Sequence, residues 1–83
     1  MDSNNIPIQK GQRVICISDD TKFFTPGKYY EVLAAANELD LSGTLPRGWC
    51  LFKDEFNVTG DTGFVHLTKM SSENTKWAIC QNQ

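Results

Sequence analysis

Eighty-three residues, 40% of them hydrophobic and 22% charged, make one small domain. That balance excludes a disordered chain, a coiled coil and a collagen-like repeat. No run approaches the ~20 apolar residues of a membrane-spanning helix, and the opening Met-Asp-Ser-Asn-Asn lacks the basic and apolar regions of a signal peptide. Eight Lys and Arg against ten Asp and Glu leave a net charge of -2. The closest approach to a basic cluster is Lys10 with Arg13, which argues against general nucleic-acid binding. The acidic surplus is equally too small for a mimic of DNA.

In chain order, residues 1–9 are polar, contain Pro7 and show no periodicity, so they are expected to form a loose N-terminus. Residues 13–18 (Arg-Val-Ile-Cys-Ile-Ser) are short, apolar and β-branched, with Gly11 before and Asp19-Asp20 after; they predict a first strand. Residues 19–27 form a loop that closes on Pro26-Gly27, where Pro presets φ and Gly accepts the positive φ of a type II turn. Residues 28–33 are the second strand. Its parity sends Tyr30, Val32 and Ala34 to one face and Tyr29, Glu31 and Leu33 to the wetter one.

Residues 34–39 have some helical propensity but no start cap, so loop is expected through Gly48. A third strand is predicted over residues 49–54, followed by a weak fragment at Val58-Thr59, a turn at residues 60–63 and a fourth strand region over 63–69. From residue 71 the chain is polar apart from residues 77–80. That island is either a closing strand or a short helix capped by Ser72, and its Trp, Ile and Cys favour the strand. Four to five short antiparallel strands in a domain spanning residues 10–83 describe an all-β fold, and the length favours a small barrel over a full sandwich. Residues 71–83 are then a tail or the closing strand.

Cys16, Cys50 and Cys80 stand 34 and 30 positions apart, an odd set without the close pairs of a disulfide framework or a zinc site. They are expected to be reduced and mostly buried, in an intracellular protein with no metal and no cofactor. The single histidine, His66, has no nucleophile motif around it and reads as a rim imidazole on an edge strand. Asp19-Asp20 and Asp54-Glu55 are paired carboxylates at loop positions, where caps on turns are expected rather than a shared proton. No catalytic residue is assigned.

Residues 11–17 (Gly-Gln-Arg-Val-Ile-Cys-Ile), then Asp19-Asp20, then residues 24–32 (Phe-Thr-Pro-Gly-Lys-Tyr-Tyr-Glu-Val) resemble a group of small, mostly phage-encoded proteins. Their pattern is G-x-x-V-x-C-I-x-D-[DN] followed by [FL]-T-x-G-K-x-Y-x-V, and they are similar to SH3-like barrels. The resemblance covers residues 11–33 and thins through residues 49–70, where Asp54-Glu55 comes closest to an aspartate pair that such proteins carry. It implies core positions at Val14, Phe24, Tyr30 and Val32, a conformational role for Gly27 and a rim position for Lys28. It also implies an accessory role in the cytoplasm of an infected bacterium, such as binding and inhibiting a host enzyme or defence factor.

Recognition is therefore the expected function. In an SH3-like barrel the loop after the first strand lies near the loop between the second and third. Phe23, Tyr29 and Trp49, with Arg47 at the edge, would form a partner-binding patch of residue types that dominate interface hot spots. The competing reading has Trp49 plugging the barrel end and Phe23 shielding the core. A host protein is the expected partner, reached through the patch or a strand edge, and no membrane is involved. The alternatives are a module that stacks single-stranded nucleic acid on its aromatics, or a structural subunit of a larger assembly.

Overall fold

The computed structural model describes residues 8–80. Five strands follow one another along the chain: β1 (Arg13–Asp19), β2 (Tyr29–Glu31), β3 (Glu55–Thr59), β4 (Val65–Lys69) and β5 (Thr75–Cys80). All pairings are antiparallel, in one sheet of order β2-β1-β5 and another of order β3-β4. Among the described residues there is no helix. The all-β expectation holds.

The period-2 alternation of β1 sends Val14 and Cys16 into the core, where both are fully buried. Opposite residues of an antiparallel pair share a face, so the inner surface of the first sheet runs Tyr30–Val14–Ile79 and Cys16–Trp77. The outer surface carries Tyr29–Ile15–Ala78. The register shifts between Cys16 and Ser18, a bulge that leaves Ile17 exposed. The Pro26-Gly27 turn forms as read: Lys28 N–H donates to Thr25 O at 3.0 Å, and Gly27 has φ +88.

Four aromatic rings fill the space between the sheets. Phe24 meets Trp77 edge-on at 4.9 Å and Tyr30 at 5.3 Å, and Phe56 meets Trp77 at 5.6 Å. Each buried polar handle finds a partner, as burial demands: Trp77 Nε1–H donates to Thr68 Oγ1 at 3.0 Å, and Tyr30 O–H to Asp61 Oδ1 at 2.8 Å. The four core positions implied by the resemblance, Val14, Phe24, Tyr30 and Val32, are all buried. Ile8 joins the same cluster, so the packed domain begins before residue 10; residues 1–7 and 81–83 lie outside the described residues.

Beyond β2 the chain runs on to β3. Leu33 N–H donates to Asn57 O at 2.8 Å, and Asn57 N–H to Ala34 O at 2.9 Å, an antiparallel bridge that joins the two sheets. The described strands do not close into a ring.

One strand is displaced from its expected place. Residues 49–54 form no strand. They are bracketed by two tight turns, in which Trp49 N–H donates to Pro46 O and Glu55 N–H to Phe52 O, with positive φ at Gly48 and Asp54. What lies between is too short for a ladder and makes one isolated bridge, Leu39–Cys50. The strand forms over Glu55–Thr59 instead, because Phe56 and Val58 supply the inward alternation there and both are fully buried. The 60–63 turn, the strand after it and the closing strand over 77–80 all form, the last with Thr75 and Lys76 added.

Candidate interaction surface

Between β2 and β3 the chain makes a finger. Its two arms run antiparallel: Asn37 N–H donates to Leu51 O at 3.0 Å, Leu51 N–H to Glu38 O at 2.7 Å, and Asp40 N–H to Trp49 O at 3.3 Å. The tip, residues 41–48, is organised by one carboxylate. Asp40 Oδ1 accepts from Ser42 N–H at 3.0 Å and Ser42 Oγ–H at 2.7 Å, and Oδ2 accepts from Leu45 N–H at 2.9 Å. Burial alone would raise the Asp40 carboxyl, but the hydrogen bonds from Leu45, Ser42 and Asn57 outweigh it and hold it well below the usual carboxylate range.

The finger is fastened to the sheet by Asn57, a fully buried polar residue in the middle of β3. Its Nδ2 donates to Asp40 Oδ1 at 3.0 Å and to His66 O at 3.3 Å, and its Oδ1 accepts from Leu41 N–H at 2.8 Å. Both ends of the amide are satisfied, as a buried amide requires. Leu51 is the apolar counterpart, pointing inward and 2% exposed.

The finger shows four large apolar side chains to solvent. Leu39, Leu41, Trp49 and Phe52 are each more than half exposed, and the Trp49 and Phe52 rings meet edge-on at 6.3 Å. Arg47 and Lys53 occupy the second positions of the two turns that bracket Trp49 and Phe52, and both are exposed. Loops of this kind, held by internal hydrogen bonds yet apolar outside, are where binding residues concentrate.

Of the residues singled out from sequence, Arg47 and Trp49 lie on this finger, and Trp49, 51% exposed, does not plug the core. Phe23 is elsewhere: it stacks on the His66 ring at 4.4 Å, and its carbonyl accepts from Asp61 N–H. Tyr29 lies on the outer face of the first sheet, with the Arg13 guanidinium 5.7 Å over its ring. Among the described residues no ring-to-ring contact joins Phe23, Tyr29 and Trp49. Leu39, Leu41 and Phe52 were not singled out from sequence; the signal for them was the loop's apolar content, which a strand reading of residues 49–54 hid.

A concavity of about 260 Å³ runs along β4 between Phe23, His66, Thr68, Lys69 and Asn74. His66 is half-buried rather than free on the rim. Its Nε2 is covered and has no hydrogen-bond partner, and a Cβ at Gly60 would stand 2.7 Å from its Cδ2. No described cysteine sulfur bonds to the ring. Among the described residues no three His, Cys, Asp or Glu side chains gather as metal ligands would. The paired carboxylates cap turns: Asp19 accepts from Thr21, Phe24 N–H and Thr75 Oγ–H, and Asp54 from Ser71. All three cysteines are free thiols, but only Cys16 is buried. Cys50 is exposed, because its segment is an arm of the finger and not a core strand.

Comparison of the chain with protein-family models, with characterised proteins and with solved structures finds no match.

Proposed function

We propose that this protein is a non-enzymatic interaction module that captures a protein partner on the finger between β2 and β3. The observation that carries this reading is the pairing of four half-exposed apolar side chains with a backbone already fixed by Asp40 and Asn57. A surface ordered before binding loses less conformational freedom on association, so more of its contact energy appears as affinity. Trp49, whose ring meets Phe52, and Arg47 two residues before it are of the residue types that dominate hot spots.

The strand order supports an open SH3-like barrel: β5-β1-β2 continues through the Ala34–Asn57 bridge into β3-β4. With the resemblance over residues 11–33, this favours a phage accessory protein that acts in the host bacterial cytoplasm by binding and inhibiting a host enzyme or defence factor.

The test is affinity capture from bacterial lysate with the unaltered chain and with Trp49→Ala in parallel. A stoichiometric host protein retained by the first and lost by the second is the expected result. Absence of any Trp49-dependent protein overturns the reading. So does sub-micromolar, salt-sensitive binding of mixed-sequence single-stranded DNA, which two cations on the finger are not expected to sustain.

A further inference from the structure

β4 and β5 follow one another in the chain but do not pair; Trp77 Nε1–H reaches Thr68 Oγ1 in place of a ladder. Backbone groups in an antiparallel ladder alternate in direction, so the bonds of β3 fix those of β4. Asn57, opposite Leu67, turns its N–H to Ala34 O and its C=O to Leu33 N–H, and Gly60 N–H donates to Phe64 O at 2.8 Å. Phe64, His66 and Thr68 therefore direct their backbone groups at β3, and Val65, Leu67 and Lys69 direct theirs outward. Lys69 O accepts from Ser72 N–H at 3.0 Å, whereas the N–H and C=O of Val65 and Leu67 bond to no described residue. The edge also lacks the usual guards against pairing: residues 64–68 hold no Lys, Arg or carboxylate, no proline and no bulge. No residue of β4 is buried, and Phe64, immediately before it, is 70% exposed. The opposite edge is different. β5 turns Thr75, Trp77 and Ile79 outward, but Thr75 and Trp77 are only 2% and 7% exposed.

We infer that β4 pairs with β4 of a second copy of this chain, antiparallel about a two-fold axis at His66. Only another extended backbone presents donors and acceptors at the repeat of a bare strand edge. The turn at Ser72 occupies the edge beside Lys69, which confines pairing to the residues before it. An axis at His66 then sets Val65 opposite Leu67 of the second copy. The two exchange N–H···O bonds, once on each side of the axis, and no bare group of Val65 or Leu67 is left over. The side chains suit the same register. Val65 meets Leu67 as an apolar cross-strand pair on one face, and on the other Phe64 is covered at Thr68 of the copy. Lys69, the only Lys, Arg or carboxylate residue of β4, stands beyond the paired run, so no like charges face each other. A strand of another protein would meet the backbone groups; a copy also brings the apolar side chain that each position requires. The contact is the same patch on both molecules, so it closes at two copies.

Sedimentation equilibrium of the full chain is expected to show reversible dimerisation with a dissociation constant on the order of 10–100 μM, weak because one short edge buries less than a standard interface. Amide hydrogen exchange at Val65 and Leu67 should slow as protein concentration rises through that range, while His66 and Thr68, bonded to β3, keep their rates. Val65→Lys with Leu67→Lys sets like charges opposite each other across the axis and should weaken the dimer at least tenfold. Val65→Lys with Leu67→Glu, at the same two positions, sets opposite charges there and should hold the dimer within about threefold of the unaltered chain. Thermal melting checks that both variants fold; where one does not, the exchange measurement on the unaltered chain decides. A chain that stays monomeric at every concentration overturns the inference. So does a dimer in which Val65 and Leu67 exchange as fast as in the monomer, or one that the like-charged variant leaves intact. Protection of Trp77 and Ile79 in their place overturns it in favour of the β5 edge.

Discussion

Asn57 Nδ2 donates to Asp40 Oδ1 at 3.0 Å, and through that contact a buried strand residue holds the tip of an exposed loop. The two residues are 17 positions apart, and together they account for six of the hydrogen bonds that shape the finger and its root. Asn57→Ala leaves the Asp40 carboxylate and the Leu41 N–H short of a partner. It is expected to cost roughly 2–3 kcal/mol, at the charged-hydrogen-bond end of the range. Denaturant midpoints measure that cost. Hydrogen exchange at Leu41 and Leu45 should accelerate more than at Val14 or Val58. Uniform acceleration would mean that Asn57 serves the core alone.

The two adjacent tyrosines should differ sharply in what they hold. Tyr30 is buried against Phe24 and Trp77, and its hydroxyl donates to Asp61 and accepts from Thr25 N–H. Tyr30→Ala should cost on the order of 2–4 kcal/mol. Tyr29 faces solvent over Arg13, and Tyr29→Ala should cost under about 1 kcal/mol. Equilibrium unfolding of the two variants checks the strand parity, and a costlier Tyr29 would invert it.

Acid should unfold the protein through its hydrogen-bonded aspartates. At Asp19, burial pushes the carboxyl up, but the hydrogen bonds from Thr21, Thr75 and Phe24 overcome it and lower it to about 2. Asp61 is lowered to about 2 by hydrogen bonds from Thr25, Lys28 and Tyr30. Both ordinarily titrate at 3.8, so the folded state binds these protons more weakly than the unfolded state. Their stabilisation is therefore complete above about pH 5 and is lost as pH falls from about 4 to about 2. Thermal melting across that range should show the decline, and Asp19→Asn should flatten it. A stability that rises on acidification would contradict the sign.

Much of this architecture was legible in the sequence. The residues that carry strand signals between clear punctuation, 13–18 and 28–33, hold the paired strands β1 and β2, the second shortened to Tyr29–Glu31, and the parity of Tyr29 and Tyr30 is as read. The error at residues 49–54 has a physical origin. Trp-Cys-Leu-Phe has strand propensity, but propensity is local, and the two turns that isolate this segment depend on positive φ at Gly48 and Asp54, the second of which an aspartate rarely advertises. The true strand rests on only two inward apolar residues, Phe56 and Val58, a shorter signal than Trp-Cys-Leu-Phe before it, and the burial of Asn57 on its other face comes from the finger. The patch suffered from the same cause. Joining Phe23, Tyr29 and Trp49 required knowing which loops meet, and only the structure shows that Phe23 leans on His66 while Trp49 leans on Phe52.

The thiols should separate by accessibility. Burial, then the nearby carboxylates of Asp19 and Asp61, push the Cys16 thiol up, whereas Cys50 stands exposed on the finger. Iodoacetamide on the native protein should modify Cys50 first and Cys16 only with unfolding, as mass spectrometry of quenched samples will show. Cys16 reacting as fast as Cys50 would place β1 outside the core.

The partner is proposed to bind on the finger and not on the Phe23 or Tyr29 surface. Two double variants put this directly to the test: Leu41→Ala with Trp49→Ala, and Phe23→Ala with Tyr29→Ala, each titrated calorimetrically against the captured partner after thermal melting has verified folding. The finger variant should lose roughly 2 kcal/mol or more of binding energy, at least a thirtyfold weakening, as removal of a hot spot does. The other should bind within about threefold of the unaltered chain. Loss of binding in the Phe23 and Tyr29 variant, with the finger variant intact, would contradict the account.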